Sequence, residues 1–139
     1  TDEELWAALE MAQATEFVSA LPDGLDSVVE KGGGNFSGGQ KQRLCIARAL
    51  LKKAFIYVFD DSFSALDFKT DAAVRYAIGP KLKGAITIIV AQRISTVMNA
   101  DMILVLDNGK ITGLGNHETL KETNPVYQEI IDSQYYREA

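Results

Sequence analysis

The chain has 139 residues, 47% hydrophobic and 24% charged, which is enough apolar material for a real core and an ordinary balance for a folded domain. Its net charge of −5 provides no basic face for non-specific binding to nucleic acid, so no nucleic-acid partner is expected. The single cysteine and single histidine exclude a disulfide within the chain and a Cys/His metal centre, and no stretch approaches the roughly 20 apolar residues of a membrane helix.

The opening, "TDEELWAALEMAQ", is acidic and amphipathic and reads as neither a signal nor a transit peptide. Thr1 and Glu4 have capping-box spacing, and Leu5, Leu9, Ala12 and Phe17 form an apolar stripe, so residues 2–20 are expected to be helical. "LPDGLDS" breaks that helix, and residues 26–36 form an irregular loop. A second helix is expected from about Ser37 to Leu51, with Cys45 as a small core residue on its apolar side. "AFIYVFDD" at 54–61 and "AITIIVA" at 85–91 are apolar on both faces and read as parallel strands buried on both sides. Between them Asp67 caps a helix reaching about Ile78, which "GPKLKG" ends. A short helix with Ser95 as its cap follows. Asn108-Gly109 between apolar runs then signals a hairpin. Two helices starting near His117 and Pro125 close the chain, with Asn116 as cap and His117 on the surface. Alternating strands and helices imply a parallel sheet with helices on its faces and ligands at the carboxyl ends of the strands, where Asp60, Asp61 and Gln92 fall.

Two local patterns carry chemistry. In "GGGNFSGGQKQRLCIARALL", residues 32–51, glycines crowd the approach to a helix whose Ser37 and Gln40 form a capping box. Such a helix end offers unpaired N–H groups and positive potential, which suits phosphate, and glycine permits close backbone approach. An ordinary capped helix after a flexible loop has the same local pattern. Adjacent acids ending a buried strand can hold Mg²⁺ on a nucleotide and orient an attacking water. Acids that merely end a strand or cap the next helix look the same in isolation.

Taken in order, "NFSGGQKQRLCIARALL", "FIYVFDDSFSALD" and "IIVAQRISTV" resemble the nucleotide-binding domain of ABC transporters over essentially the whole chain. The first looks like the signature motif with Phe36 in place of Leu, the second like the Walker B strand and D-loop, the third like the switch segment. The fold this implies is α/β: part of a RecA-like P-loop NTPase parallel sheet with flanking helices, a C-terminal β-hairpin and part of the ABC helical subdomain. Residues 1–52 would hold the end of the helical subdomain, the X-loop and the signature helix, and 53–139 the C-terminal part of the RecA-like core.

Residue by residue, the resemblance implies that Ser37, Gly38, Gly39 and Gln40 touch ATP held mainly by an opposite subunit. It gives Asp60 Mg²⁺ through water, Asp67 signalling between the two sites, and Glu30 in "VVEKGGGN" contact with membrane domains. The implied cofactors are ATP and Mg²⁺. The implied partners are a second nucleotide-binding domain and the transmembrane domains of the same polypeptide, at the cytoplasmic face of the cell membrane. At the catalytic positions the family's active members carry Glu and His, where this chain has Asp61 and Gln92. Both departures together look like the degenerate-site subunit of a heterodimeric exporter of the multidrug or lipid type. The phosphate-cradling pattern G-x-x-x-x-G-K-[ST] is absent from the sequence. The chain is therefore expected to be the C-terminal part of a domain from a longer ATPase, inactive by itself. A soluble ABC-class ATPase of DNA repair or translation is the alternative; no heptad run favours the former.

Overall fold

The computed structural model describes residues 1–138. Contacts divide the chain into two compact units, Thr1–Val90 and Ala91–Ala139.

In the first unit, α1 (Asp2–Met11) opens with the Thr1/Glu4 capping box. The helix stops well short of residue 20. Gln13 is left-handed (φ 57°), its N–H bonds the Glu10 carbonyl and the Ala14 N–H bonds the Leu9 carbonyl, which is a Schellman termination with glutamine in the glycine position. A short α2 (Thr15–Ser19) resumes afterwards, so Leu9, Ala12, Ala14 and Val18 all stay in the core despite the break. The loop beyond contains 3₁₀ turns at Gly24–Asp26 and Lys31–Gly33, the second with Gly32 and Gly33 at φ near +68°. Asn35 organises it by accepting from the Glu30 N–H (3.2 Å) and donating to the Val28 carbonyl (2.9 Å).

The helix α3 (Gly38–Leu50) starts at Ser37 as expected. It buries Ile46, Ala47 and Leu50, but Cys45 is exposed, one position off the buried stripe. Strands β1 (Ile56–Asp60) and β2 (Ile86–Val90) pair in parallel, with Tyr57 opposite Thr87 and Asp60 opposite Val90. They are not buried on both sides. Tyr57 and Phe59 enter the core, while Ile56, Val58, Ile86, Ile88 and Val90 are exposed, since among the described residues no third strand or helix covers that face. Between the strands, α4 (Phe68–Leu82) runs through Gly79 and Pro80 instead of ending near Ile78. Ile78 and Leu82 lie one turn apart and are both buried, so packing outweighs the local breakers; the turn at Gly84 (φ 89°) ends the segment.

The second unit begins with α5 (Ile94–Val97). Its cap is Arg93 and not Ser95, and the Ile94 N–H is satisfied by Gln134 Oε1 at 2.9 Å, a partner forty residues away. The hairpin of β3 (Ile103–Asp107) and β4 (Lys110–Gly115) turns at Asn108-Gly109, both with positive φ, and carries a bulge between Val105 and Leu106. Helices α6 (His117–Thr123), capped by Asn116, and α7 (Pro125–Glu138) follow. Ile103, Val105, Leu120, Tyr127 and Ile131 form the core. His117 is half-buried, its Nδ1 2.9 Å from the Tyr127 hydroxyl, so it is a packing residue more than a surface one.

Candidate functional site

At the amino end of α3, Gln40 N–H donates to Ser37 Oγ (3.2 Å) and Ser37 N–H donates to Gln40 Oε1 (2.9 Å). The box uses those groups and leaves the Ser37 hydroxyl proton and Gln40 Nε2 without acceptors among the described residues. The first-turn amides of Gly38 and Gly39 have no intrahelical partner, and no acidic residue sits in that turn. Phe36, in place of the expected leucine, is buried and meets the Phe17 ring edge-on at 6.2 Å. Arg43 lies 4.9 Å from the Phe17 ring centroid and its Nη1 donates to the Gln13 carbonyl (2.6 Å), pinning the left-handed residue that splits α1 from α2.

The turn after β1 lies against this helix end. Asp60 is exposed and its carboxylate accepts no hydrogen bond among the described residues. Asp61 is left-handed (φ 49°), with its N–H on the Val90 carbonyl (3.0 Å). Its Oδ2 accepts from Ser64 Oγ at 2.8 Å, so the carboxylate folds back onto its own turn. A β-carbon on Gly39 would come within 3.0 Å of the Ala65 carbonyl oxygen, and one on Gly38 would sit 3.5 Å from the Ala65 methyl group. Gln42, one turn into α3, donates through Nε2 to the Asp61 carbonyl (2.9 Å) and to Ser64 Oγ (3.0 Å), and accepts through Oε1 from the Ala65 N–H (2.9 Å).

Asp67 caps α4, accepting from the Thr70 hydroxyl (2.7 Å) and N–H (2.9 Å). Those bonds favour the ionised form and hold the carboxyl below its ordinary value. Glu30 is exposed on the loop, where a β-carbon on Gly34 would lie 2.9 Å from its Oε2. The fold thus brings Ser37, Gly38, Gly39, Gln40, Asp60, Asp61 and Asp67 together in the first unit. Gln92 belongs to the second unit, is exposed, and its carbonyl accepts from Gln134 Nε2 at 2.7 Å.

Sequence reasoning missed Gln42 and Arg43, whose partners are distant in sequence, and placed Ser64 in the D-loop without its bonds to Gln42 and Asp61. It also missed Asp71, which is 1% exposed and paired with Arg75 at 2.8 Å; the i,i+4 spacing was the available signal.

Residues suited to ATP are present: unpaired donors at a helix end free of acids, and a solvated carboxylate at a strand end. Among the described residues no three His, Cys, Asp or Glu side chains cluster as a metal site.

A family model described as ABC transporter matches residues 2–64. An uncharacterized ABC transporter ATP-binding protein of Mycobacterium tuberculosis is 52% identical over 134 residues, 96% of this chain and 23% of that protein. This chain belongs to the ABC transporter nucleotide-binding domain family. An ATP-dependent lipid A-core flippase of Haemophilus influenzae is 43% identical across 96% of the chain and 23% of the flippase. A solved bacterial Atm1-family ABC exporter with ATP bound superposes with a TM-score of 0.91 at 36% identity, covering 96% of this chain and 24% of the exporter. The chain therefore spans about a quarter of the length of the relatives it matches. No described helix is long and apolar enough to cross a membrane.

Proposed function

We propose that this nucleotide-binding segment serves an ABC exporter in which ATP binding and hydrolysis drive export, and that its own hydrolytic site is degenerate while its signature completes a partner's site. The observation carrying the proposal is the α3 helix end, with free donors on Ser37, Gly38, Gly39 and Gln40, set against a turn bearing Asp60 and Asp61. In a two-domain assembly those donors would close on the phosphates of ATP held mainly by the other domain, where backbone N–H groups stabilise developing charge. Mg²⁺ and ATP together supply the reactive phosphoryl group and the neutralisation of its charge. Asp60, solvated and unpaired, suits a hydrated cation. Glu30 on its exposed loop would face the membrane domains and Asp67 the opposite site. The division at residues 52 and 53 would separate the helical subdomain from the core.

The degenerate assignment rests on Asp61 and Gln92. Aspartate retracts the carboxylate by on the order of 1 Å relative to glutamate, and misplacement of that size can cost about a hundredfold in rate. Its bond from Ser64 Oγ draws it back further from any water beyond the strand end. Glutamine can donate to a phosphate oxygen but cannot become a cation beside developing charge.

The test is site-resolved ATP turnover in the full-length protein with the partner site's catalytic carboxylate removed. Asp61→Glu and Gln92→His together should raise turnover at least about tenfold, and either alone less, because base position and phosphate contact act as one unit. No gain in the double variant would overturn the degenerate assignment.

A further inference from the structure

Gln42 uses every hydrogen-bonding group of its side-chain amide on a single turn. One Nε2 proton goes to the Asp61 carbonyl, the other to Ser64 Oγ, and Oε1 takes the Ala65 N–H, at 2.9, 3.0 and 2.9 Å. Ser64 Oγ passes its own proton to Asp61 Oδ2 at 2.8 Å, so the amide reaches the carboxylate through one hydroxyl. Independently, the same Ala65 is the residue against which Gly38 and Gly39 pack without a β-carbon between. Two unrelated features of α3, a fully engaged amide and a bare glycine face, therefore converge on one turn.

We infer that Gln42 is a positioning residue that locks the amino end of α3 to the 61–65 turn, so that displacement of either by nucleotide carries the other. None of the lock's bonds uses the Ser37–Gln40 donors or the Asp60 carboxylate. It acts by fixing Ser64, and through Ser64 the Asp61 carboxylate, relative to the Ser37–Gln40 donors. A packing staple alone would need only shape, whereas three directional bonds from one planar amide fix both distance and orientation. The inference rests on the functional reading above for the identity of the nucleotide, but the lock itself exists without it.

Hydrogen–deuterium exchange and steady-state kinetics on the full-length protein test both parts. Without nucleotide, Gln42→Ala frees the Ala65 N–H and should speed exchange across 61–67 about tenfold, with the thermal midpoint of the protein little changed. Gln42→Glu keeps an acceptor for Ala65 but loses both donors, and should fall between wild type and alanine. With Mg-ATP, wild type should show protection of 37–43 and 61–67 together, and Gln42→Ala protection of 37–43 alone. Its kcat should drop about fivefold or more, because the Ser37–Gln40 donors that complete the partner's site lose the turn that braces them, with KM for ATP within about twofold since the donors themselves are kept. Unchanged nucleotide-free exchange across 61–67 overturns the lock. Faster exchange with unchanged kcat overturns its role in positioning. A wild-type protein that neither hydrolyses ATP nor gains protection, while Gln42→Ala still loosens 61–67, overturns the functional reading and upholds the lock.

Discussion

Gly38 and Gly39 are neighbours in one motif but are glycine for different reasons. A side chain at Gly39 points at a backbone oxygen of the same chain, 3.0 Å away, whereas one at Gly38 meets only a methyl group at ordinary contact distance. Gly39→Ala should therefore strain the joint between α3 and the 61–65 turn. The overpacking cost of about 1–3 kcal/mol outweighs the gain of about 1 kcal/mol in helix propensity. Gly38→Ala keeps the propensity gain without the clash and should fold at least as well as wild type. Thermal unfolding of the two full-length variants measures the difference, with Gly39→Ala expected to be the less stable. The sequence alone assigned both glycines to phosphate approach, because crowding of glycine before a capped helix is visible locally and the position of Ala65 is not. Cys45 went wrong for a related reason: one residue of rotation separates the buried stripe from solvent, and apolar neighbours in sequence do not fix that phase.

Among the elements, those whose signals are local were legible. The capping boxes at Thr1 and Ser37 and the Asp67 and Asn116 caps rest on side chains within three residues of their partners, and the Asn108-Gly109 turn on two adjacent residues that tolerate positive φ. The break between α1 and α2 was not, since glutamine stands where a glycine would have announced it and the anchor is Arg43, thirty residues on. The Asp67 cap also makes a prediction about pH. Its folded-state value lies below the ordinary one, so ionised Asp67 contributes fully at pH values above the ordinary carboxylate value, and that contribution is lost as pH falls through the lowered folded value. The stability gap between wild type and Asp67→Ala should stay constant from about pH 7 to about pH 5 and close below about pH 4. Asp67→Asn, whose side-chain oxygen can still accept from the Thr70 N–H, should retain most of the cap. Thermal midpoints of the three proteins across that range check both statements, and a gap that widened on acidification would contradict the sign.

At the scale of the whole molecule, the exposed face formed by Ile56, Val58, Ile86, Ile88 and Val90 explains why the strand reading was half right. The residues have the double-faced apolarity of a central sheet, and a sheet reads the same from sequence whether or not its covering layer lies on the same stretch of chain. The separation of the two jobs assigned to this chain is testable at that same scale. If its signature completes a partner's site while its own site is degenerate, damage to the signature should be worse than damage to Asp61. Gly38→Asp places a carboxylate beside first-turn donors that face phosphate, and its bulk blocks backbone approach. Like charges brought together in a desolvated contact cost several kcal/mol, roughly a hundredfold or more in the population of the closed assembly. Total ATPase activity of the full-length protein should then collapse although the altered residue lies outside the hydrolysing subunit. Asp61→Asn removes a carboxylate already withdrawn onto Ser64 and, on the proposed reading that the competent site lies in the partner, should lower total turnover by no more than about twofold. Steady-state ATPase assays of the two variants give the ranking directly. The reverse order would mean that Asp61 is the working base and that this chain hydrolyses ATP at its own site.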